Sequence, residues 1–343
     1  MKTIYNAAHR EHQAEYEFFR GEKVAAFEKF ERADWVLSAV RAAAIGEVLA
    51  PQSFDDAEIT RVHSQRYVDF LSGAFAQYRS LGGAGDAFPS VWSVRGMRSD
   101  VLPKSFAARM GLFSFDSGTP LTAGSWIAAR AGADCALTGA DMLRDGERSA
   151  FVLTRPPGHH AGSDFFGGYC FLNNAAIAAQ RLLDNGCKRV AILDVDYHHG
   201  NGTQEIFYSR SDVLFASIHG DPLTEYPFFL GHADEAGEGD GVGFNVNLPL
   251  PAGTSVSAWF AALDSAISRI AEYRPDALVV SLGVDTFEGD PISHFSLKTS
   301  DYPALGKAIA KLDVPSLFVL EGGYAVAEIG ENVVGVLRGF ASR

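Results

Sequence analysis

From residue 124 onward, short apolar runs alternate with longer proline-free stretches of helical character, and this alternation constrains the fold more than any other feature of the chain. Residues 124–144 are rich in Ala and Leu and predict a helix, and 150–154 is a short apolar run. Residues 173–185 predict a second helix, with Asn173 or Asn174 as N-cap and Gly186 just past its end. The runs 190–193 and 213–217 are of buried-strand type, 255–273 is helical, 277–282 a strand, 302–312 a helix and 316–320 a strand. Strands alternating with helices predict a parallel sheet covered by helices on both faces. Near-continuous apolar strands are what such double coverage requires.

The bulk properties agree with this α/β reading. The 343 residues are 47% hydrophobic and 21% charged, the balance of a globular protein with a large core. No run of 18 or more apolar residues predicts a spanning helix, and the charged first twenty residues lack the apolar region of a secretory signal. Three scattered cysteines, Cys135, Cys170 and Cys187, make neither a disulfide framework nor a CxxC metal site, so a reducing cytoplasmic setting is expected. A net charge of −13 argues against nucleic acid as a partner. It suits a cationic small molecule, although an acidic surface also serves solubility alone. Residues 82–125, rich in Gly, Ser and Pro with scattered Arg, Phe and Trp, predict a long irregular excursion, a lid or contact surface.

In open parallel sheets ligands bind beyond the carboxyl ends of the strands. The predicted strands are followed in turn by Arg155-Pro-Pro-Gly-His159-His160, by Asp194-Val-Asp196-Tyr-His198-His199-Gly-Asn201, by Ile218-His219-Gly-Asp221, by Gly283-Val-Asp285 and by Glu321-Gly-Gly-Tyr324. The conspicuous polar groups therefore collect at one edge of the sheet, which predicts one convergent site. Asp196 and His198, two apart at a strand end, point to the same side. Asp285 from a neighbouring strand supplies a third group, and two carboxylates with one imidazole suit a borderline divalent ion such as Zn²⁺. Three protein ligands leave one position for water, the pattern of a catalytic site. A lone Asp-x-His more often caps a turn; the companion clusters reverse that preference.

His159 and His160 need partners if buried, and Asp194 and Asn201 are the candidates. A carboxylate on one ring and an amide on the other would give the two histidines different basicity, and so divide acid and base roles. Tyr324, after two glycines, is placed to direct its hydroxyl at a carbonyl oxygen, although a turn tyrosine is the plainer reading of Glu-Gly-Gly-Tyr alone.

In combination these segments resemble the arginase–deacetylase superfamily, specifically the zinc-dependent histone deacetylases. The matching pieces are RPPGHHA (155–161), FGGYCFLNNAA (166–176), ILDVDYHHGNGTQ (192–204), SLGVDTFEGDP (281–291) and EGGY (321–324), with weaker likeness over most of the chain, including Val62-His63 and Tyr67. Within the superfamily the likeness is to bacterial acetylpolyamine amidohydrolases, because of the long segment before Gly124 and the stretch 220–231. The tandem histidines and the tyrosine point to the one-metal deacetylase branch rather than to the two-manganese arginases.

The resemblance implies a single α/β domain with an eight-stranded parallel sheet, the arginase–deacetylase fold. It implies one Zn²⁺ per subunit on Asp196, His198 and Asp285. It makes His159 and His160 the tandem histidines, His160 the general base, and Tyr324 the group that polarises the scissile carbonyl. Gly168, Tyr169 and Tyr226 become walls of a substrate channel. Oxygens of Asp194, Asp196, His198, Ser217 and Ile218 match one structural K⁺ site, and those of Phe207, Arg210, Val213 and Phe244 a second. The expected substrate is a small cationic acetylated amine such as acetylputrescine or acetylcadaverine. Residues 82–125 would form a homodimer contact and the channel rim. The position matching the family's ammonium-reading glutamate is Gly118, so Asp116 is the expected substitute. Deacetylation of acetyl-lysine in proteins, and a catalytically silent metal-stabilised binding protein, stand as the other readings.

Overall fold

The computed structural model describes residues 1–342. In chain order the elements are β1 (Lys2–Tyr5), a hairpin of β2 (Glu17–Phe19) and β3 (Glu22–Val24), α1 (Glu31–Ala42), β4 (Val48–Leu49), α2 (Gln65–Ser80), α3 (Phe106–Phe113) and α4 (Ser125–Arg144). There follow β5 (Ser149–Leu153), α5 (Asn174–Asp184), β6 (Val190–Asp194), α6 (Asn201–Phe207), β7 (Val213–Gly220), β8 (Asn245–Leu250), α7 (Val256–Tyr273), β9 (Ala277–Leu282), α8 (Tyr302–Ala310), β10 (Ser316–Leu320) and α9 (Ile329–Ala341). Eight strands form one sheet in the order β4-β1-β5-β10-β9-β6-β7-β8, with every neighbouring pair parallel.

Strand periodicity divides the core. Val190 and Ile192 of β6 point into one apolar cluster, with Val279 of β9 and Val319 of β10. Ala191 and Leu193 point into the other, with Val280 and Phe318. Helices α4 and α5 cover the first face, and α1, α7, α8 and α9 the second. Each fully buried aliphatic or aromatic side chain contributes roughly 1.5–3 kcal/mol of transfer free energy, so a two-faced sheet of such residues is a stiff platform. Local signals set the helix ends. The Asn173 side chain accepts a hydrogen bond from the Ala176 amide at the start of α5, and Ser255 caps α7 through Ala258.

The expected elements all form, with ends moved by a residue or two. The strand expected at 213–217 continues to Gly220, because β8 pairs along its whole length. The stretch 82–125 is less irregular than expected. It contains α3, whose buried Met110 and Phe113 join the core, and an isolated bridge between Ala87 and Leu121. No helix among the described residues is long and apolar enough to cross a membrane.

Candidate metal centre and active site

Strands β6 and β9 are neighbours in register, with Asp194 opposite Ser281. The loops leaving them therefore emerge side by side and deliver Asp196, His198 and Asp285 together. One ligand atom from each lies within 4.8 Å of the others, and all three residues are buried. Backbone amides fix the carboxylates. His198 N donates to Asp196 Oδ1 at 2.9 Å, Gly322 N to Asp196 Oδ2 at 2.7 Å, and Tyr197 N to Asp285 Oδ1 at 2.8 Å. His198 Nδ1 faces Asp285 Oδ2 at 3.1 Å. Gly322 permits this approach, since a Cβ there would stand 2.5 Å from Asp196 Oδ2 and 2.6 Å from Asp285 Oδ2.

Burial and the neighbouring Asp196 push the Asp285 carboxyl up to about 7. Asp196 goes the other way: burial opposes its charge, but His159 and His198 outweigh it and hold it below the usual carboxylate range. Burial also works against a charge on His198, yet Asp196 and Asp285 raise it to about 10. Two desolvated carboxylates and an imidazole, pre-oriented by backbone donors and crowded with like charge, fit a divalent cation.

The loop after β5 brings in the histidine pair, whose rings lie 4.1 Å apart between centroids. His159 Nδ1 is 3.0 Å from Asp194 Oδ2. Burial opposes its protonation, but Asp196 and Asp194 raise it to about 10. His160 Nδ1 is 2.6 Å from Asn201 Oδ1. That amide oxygen only accepts, which puts the ring proton on Nδ1 and leaves Nε2 with a free lone pair. Burial, followed by the adjacent His159, depresses the basicity of His160 far below the ordinary value, so it is neutral.

Tyr324 hangs from the turn after β10. Arg32 of α1 donates to the carbonyls of Glu321 at 2.5 Å and Gly323 at 2.6 Å, and its guanidinium lies 4.6 Å from the centre of the Tyr324 ring. Glu28 neutralises Arg32 at 2.9 Å and pairs in bidentate fashion with Arg155 at 2.7 and 2.6 Å. Asp290 Oδ2 accepts from the Tyr324 amide at 2.7 Å. Glu321 Oε2 accepts from Gly158 N at 2.6 Å and His159 N at 3.1 Å, so this turn also braces the histidine loop. Burial raises the Tyr324 phenol well above its ordinary value, which keeps it a proton donor.

His160, His198 and Tyr324 meet in one cavity of about 370 Å³. Gly168, Tyr169, Tyr226, Phe228 and Ile292 supply its apolar and aromatic lining, and Glu17, Asp116, Glu225 and Arg20 its charges. Gly168 stands at φ 54, and a Cβ there would sit 2.2 Å from the His160 ring. His159, Asp196 and Asp285 lie behind the lining.

The expected residues are thus brought together, and Asp116 has partners that the sequence did not show. Asp116 lines the cavity, but its Oδ2 accepts from Gly168 N and from the Tyr226 hydroxyl, both at 2.7 Å, and its Oδ1 accepts from Gly118 N at 3.1 Å. It ties the walls together and has little capacity left for a substrate ammonium. Asp194 and Ser217 are register partners on β6 and β7, with Ile218 next to Ser217 and Asp196 and His198 following Asp194. Phe207, Arg210 and Val213 share the α6–β7 connection, and the Phe244 carbonyl accepts from Phe215 of β7 at 2.9 Å. His63 and Tyr67 are stitches: His63 spans Gly162 O at 2.8 Å and Asn173 N at 2.9 Å, and Tyr67 donates to Phe171 O at 2.6 Å. Sequence reading missed Glu17, Glu28, Arg32 and Asp290. Asp290 stood in the SLGVDTFEGDP segment, whereas the other three precede every strand-end motif and carry no local signal.

Comparison with known proteins agrees with this architecture. Residues 26–340 match the histone deacetylase domain. Acetylpolyamine amidohydrolase 2 of Pseudomonas aeruginosa is 54% identical over 340 residues, covering 99% of this chain and 98% of that protein. The acetylpolyamine amidohydrolase of Mycoplana ramosa is 48% identical over 341 residues, covering 99% and 100%. The crystal structure of an acetylpolyamine aminohydrolase from Burkholderia pseudomallei superposes with a TM-score of 0.95 at 39% identity, over 100% of this chain and 99% of that one. The chain belongs to the histone deacetylase family.

Proposed function

We propose that this chain is a zinc-dependent amidohydrolase that removes the acetyl group from acetylated polyamines. The observation that carries the reading is the convergence of His160, Tyr324 and His198 on one cavity, with Asp196 and Asp285 clustered directly behind His198. Zinc on those three residues would supply Lewis acidity toward the acetyl carbonyl and its water. His160 takes the proton of the attacking water on Nε2 and passes it to the departing amine. His159, oriented by Asp194, serves mainly as the electrostatic partner of His160. The Tyr324 hydroxyl donates to the carbonyl oxygen as that oxygen gains charge, and Arg32 and Asp290 hold its turn in place. Water and amide become acetate and free amine.

Relatives named acetylpolyamine amidohydrolases support the substrate class, and so does a cavity lined by three carboxylates and one arginine. The test is turnover of N-acetylputrescine, N-acetylcadaverine and an acetyl-lysine peptide, with and without a chelator. The expected result is metal-dependent turnover that favours the acetylated diamines. Preference for the peptide would overturn the substrate class, and turnover that survives chelation would overturn the metal.

The same reading extends to K⁺ at the two sites around Asp194 and Phe207, and to a homodimer. The segment 82–125 supports the dimer by exposing Val91, Val94, Met97, Val101 and Leu102, apolar side chains that a second copy would cover. Equilibrium sedimentation of the wild type and of Met97→Glu tests it; a wild-type monomer at micromolar concentration would overturn it. A reducing cytoplasmic setting is supported by three free cysteines, two of them buried.

A further inference from the structure

We propose that Tyr169 and Glu17 together form the receptor for the distal ammonium of the substrate, an inference that rests on the acetylpolyamine reading above. Glu17 belongs to the β2–β3 hairpin, whose residues 17–21 form one wall of the cavity. Its side chain is buried, 2% exposed, yet no Lys, Arg or His pairs with it among the described residues. The two cations of the hairpin are engaged on aromatic faces instead, Arg20 over Phe19 at 5.2 Å and Lys23 over Tyr16 at 3.6 Å.

A buried carboxylate without a counter-ion is costly, and neutral donors offset only part of that cost. Glu17 has two such donors: the Phe27 amide to Oε2 at 3.0 Å and the Tyr169 hydroxyl to Oε1 at 2.7 Å. Burial raises its carboxyl to about 7 in spite of both bonds. A site that carries this cost in the wall of a substrate cavity gains most from a ligand that brings a positive charge.

The geometry also says how the charge is presented. Tyr169 donates its proton backwards to Glu17, so the lone pairs of its hydroxyl oxygen are free to accept from the cavity side, with the carboxylate charge behind them. The Tyr169 ring lies 5.6 Å from that of Tyr324, edge to face. Tyr169 thus links the two, with its ring edge-on to Tyr324 and its hydroxyl on Glu17, and all three residues line the cavity that a short alkyl chain would occupy. The remaining carboxylates are committed elsewhere: Asp116 to three donors, and Glu225 to His294 at 3.1 Å.

The experiment compares kcat/KM at pH 8 for N-acetylputrescine and for N-pentylacetamide, which has a methyl group in place of the ammonium. The enzymes are wild type, Glu17→Gln, Tyr169→Phe and Glu225→Gln. We expect wild type to prefer the cation, and that preference to fall by about 10–100-fold in Glu17→Gln, mainly through KM. It should fall in Tyr169→Phe as well and hold in Glu225→Gln. Thermal melting checks that each variant is folded, and Glu17→Asp should restore part of the preference. Loss of the preference in Glu225→Gln alone, or equal loss for both substrates in Glu17→Gln, would overturn the assignment. Failure of wild type on both acetamides would instead refute the amidohydrolase reading, and is separately visible.

Discussion

His160 Nδ1 and Asn201 Oδ1 lie 2.6 Å apart, and this one contact decides which nitrogen of the ring is the base. Removal of the acceptor frees the ring to hold its proton on either nitrogen. Asn201→Ala should therefore lower kcat by about 10–100-fold with little change in KM, by the measure of other histidine-orienting partners. Steady-state kinetics on the acetylated diamine checks it, and an unchanged kcat would remove Asn201 from the mechanism.

Tyr324 carries an isolated demand: it must keep its proton and direct it at the developing oxyanion. Tyr324→Phe removes the donor without touching Asp196, His198 or Asp285. Loss of one oxyanion donor raises the barrier by about 2.7–4 kcal/mol, so kcat should drop roughly 10²–10³-fold while the bound zinc, measured by elemental analysis, stays at the wild-type level. Near-normal turnover would sink the role.

Gly322 is where the turn bearing Tyr324 passes against the carboxylates. Gly322→Ala would place a methyl carbon 2.5–2.6 Å from both Asp196 Oδ2 and Asp285 Oδ2, too close to hold without displacing them. Metal affinity should weaken at least about tenfold, read by competition with a fluorescent chelator. Wild-type affinity would show that the carboxylates have slack that the packing does not suggest.

Glu17 links function to pH with a definite sign. Its carboxyl lies at about 7 in the folded chain against 4.5 as an ordinary glutamate, and the groups facing it are Tyr169, the Phe27 amide and the carboxylates of Glu28 and Asp116. The folded state therefore binds the extra proton, and stability contributed by the neutral form is lost as pH rises from 4.5 through 7. Glu17→Gln abolishes that loss. It should stabilise the protein by on the order of 3 kcal/mol at pH 8 and by little at pH 4.5, as measured by denaturant titration. In the wild type the preference for a cationic over a neutral acetamide should fall as pH drops below 7, and the variant should lack this trend. A pH-independent preference in the wild type would contradict the assignment.

The strand ends were legible because strands covered on both faces are unbroken apolar runs, and the polar residues at their ends stand out. Asp196, His198, Asp285, His159, His160 and Tyr324 can be gathered on that basis from the sequence alone. The peripheral strands were not legible. β1 has four residues with Lys2 and Thr3 among them, β4 has two, and β8 mixes Asn245, Asn247 and Pro249 with its apolar positions. The hairpin with Glu17 was hidden for a similar reason: its strands have three residues each, and Glu22 and Lys23 give no periodicity. Arg32 and Glu28 pair locally, but they reach the site only through tertiary contacts, with Gly323 and Arg155 far along the chain. Asp116 reaches the expected cavity, but the donors that engage its carboxylate there could not be read from composition.

Strand β10 is the last to be made, yet it lies at the middle of the sheet, between β5 and β9. Without those five residues β5 and β9 have no common neighbour in the sheet, and the histidine loop loses the brace that Glu321 gives it. A chain cut short before residue 316 lacks Tyr324 and also the pairing that unites the two halves of the centre. Activity therefore reports that β10 has taken its place in the sheet.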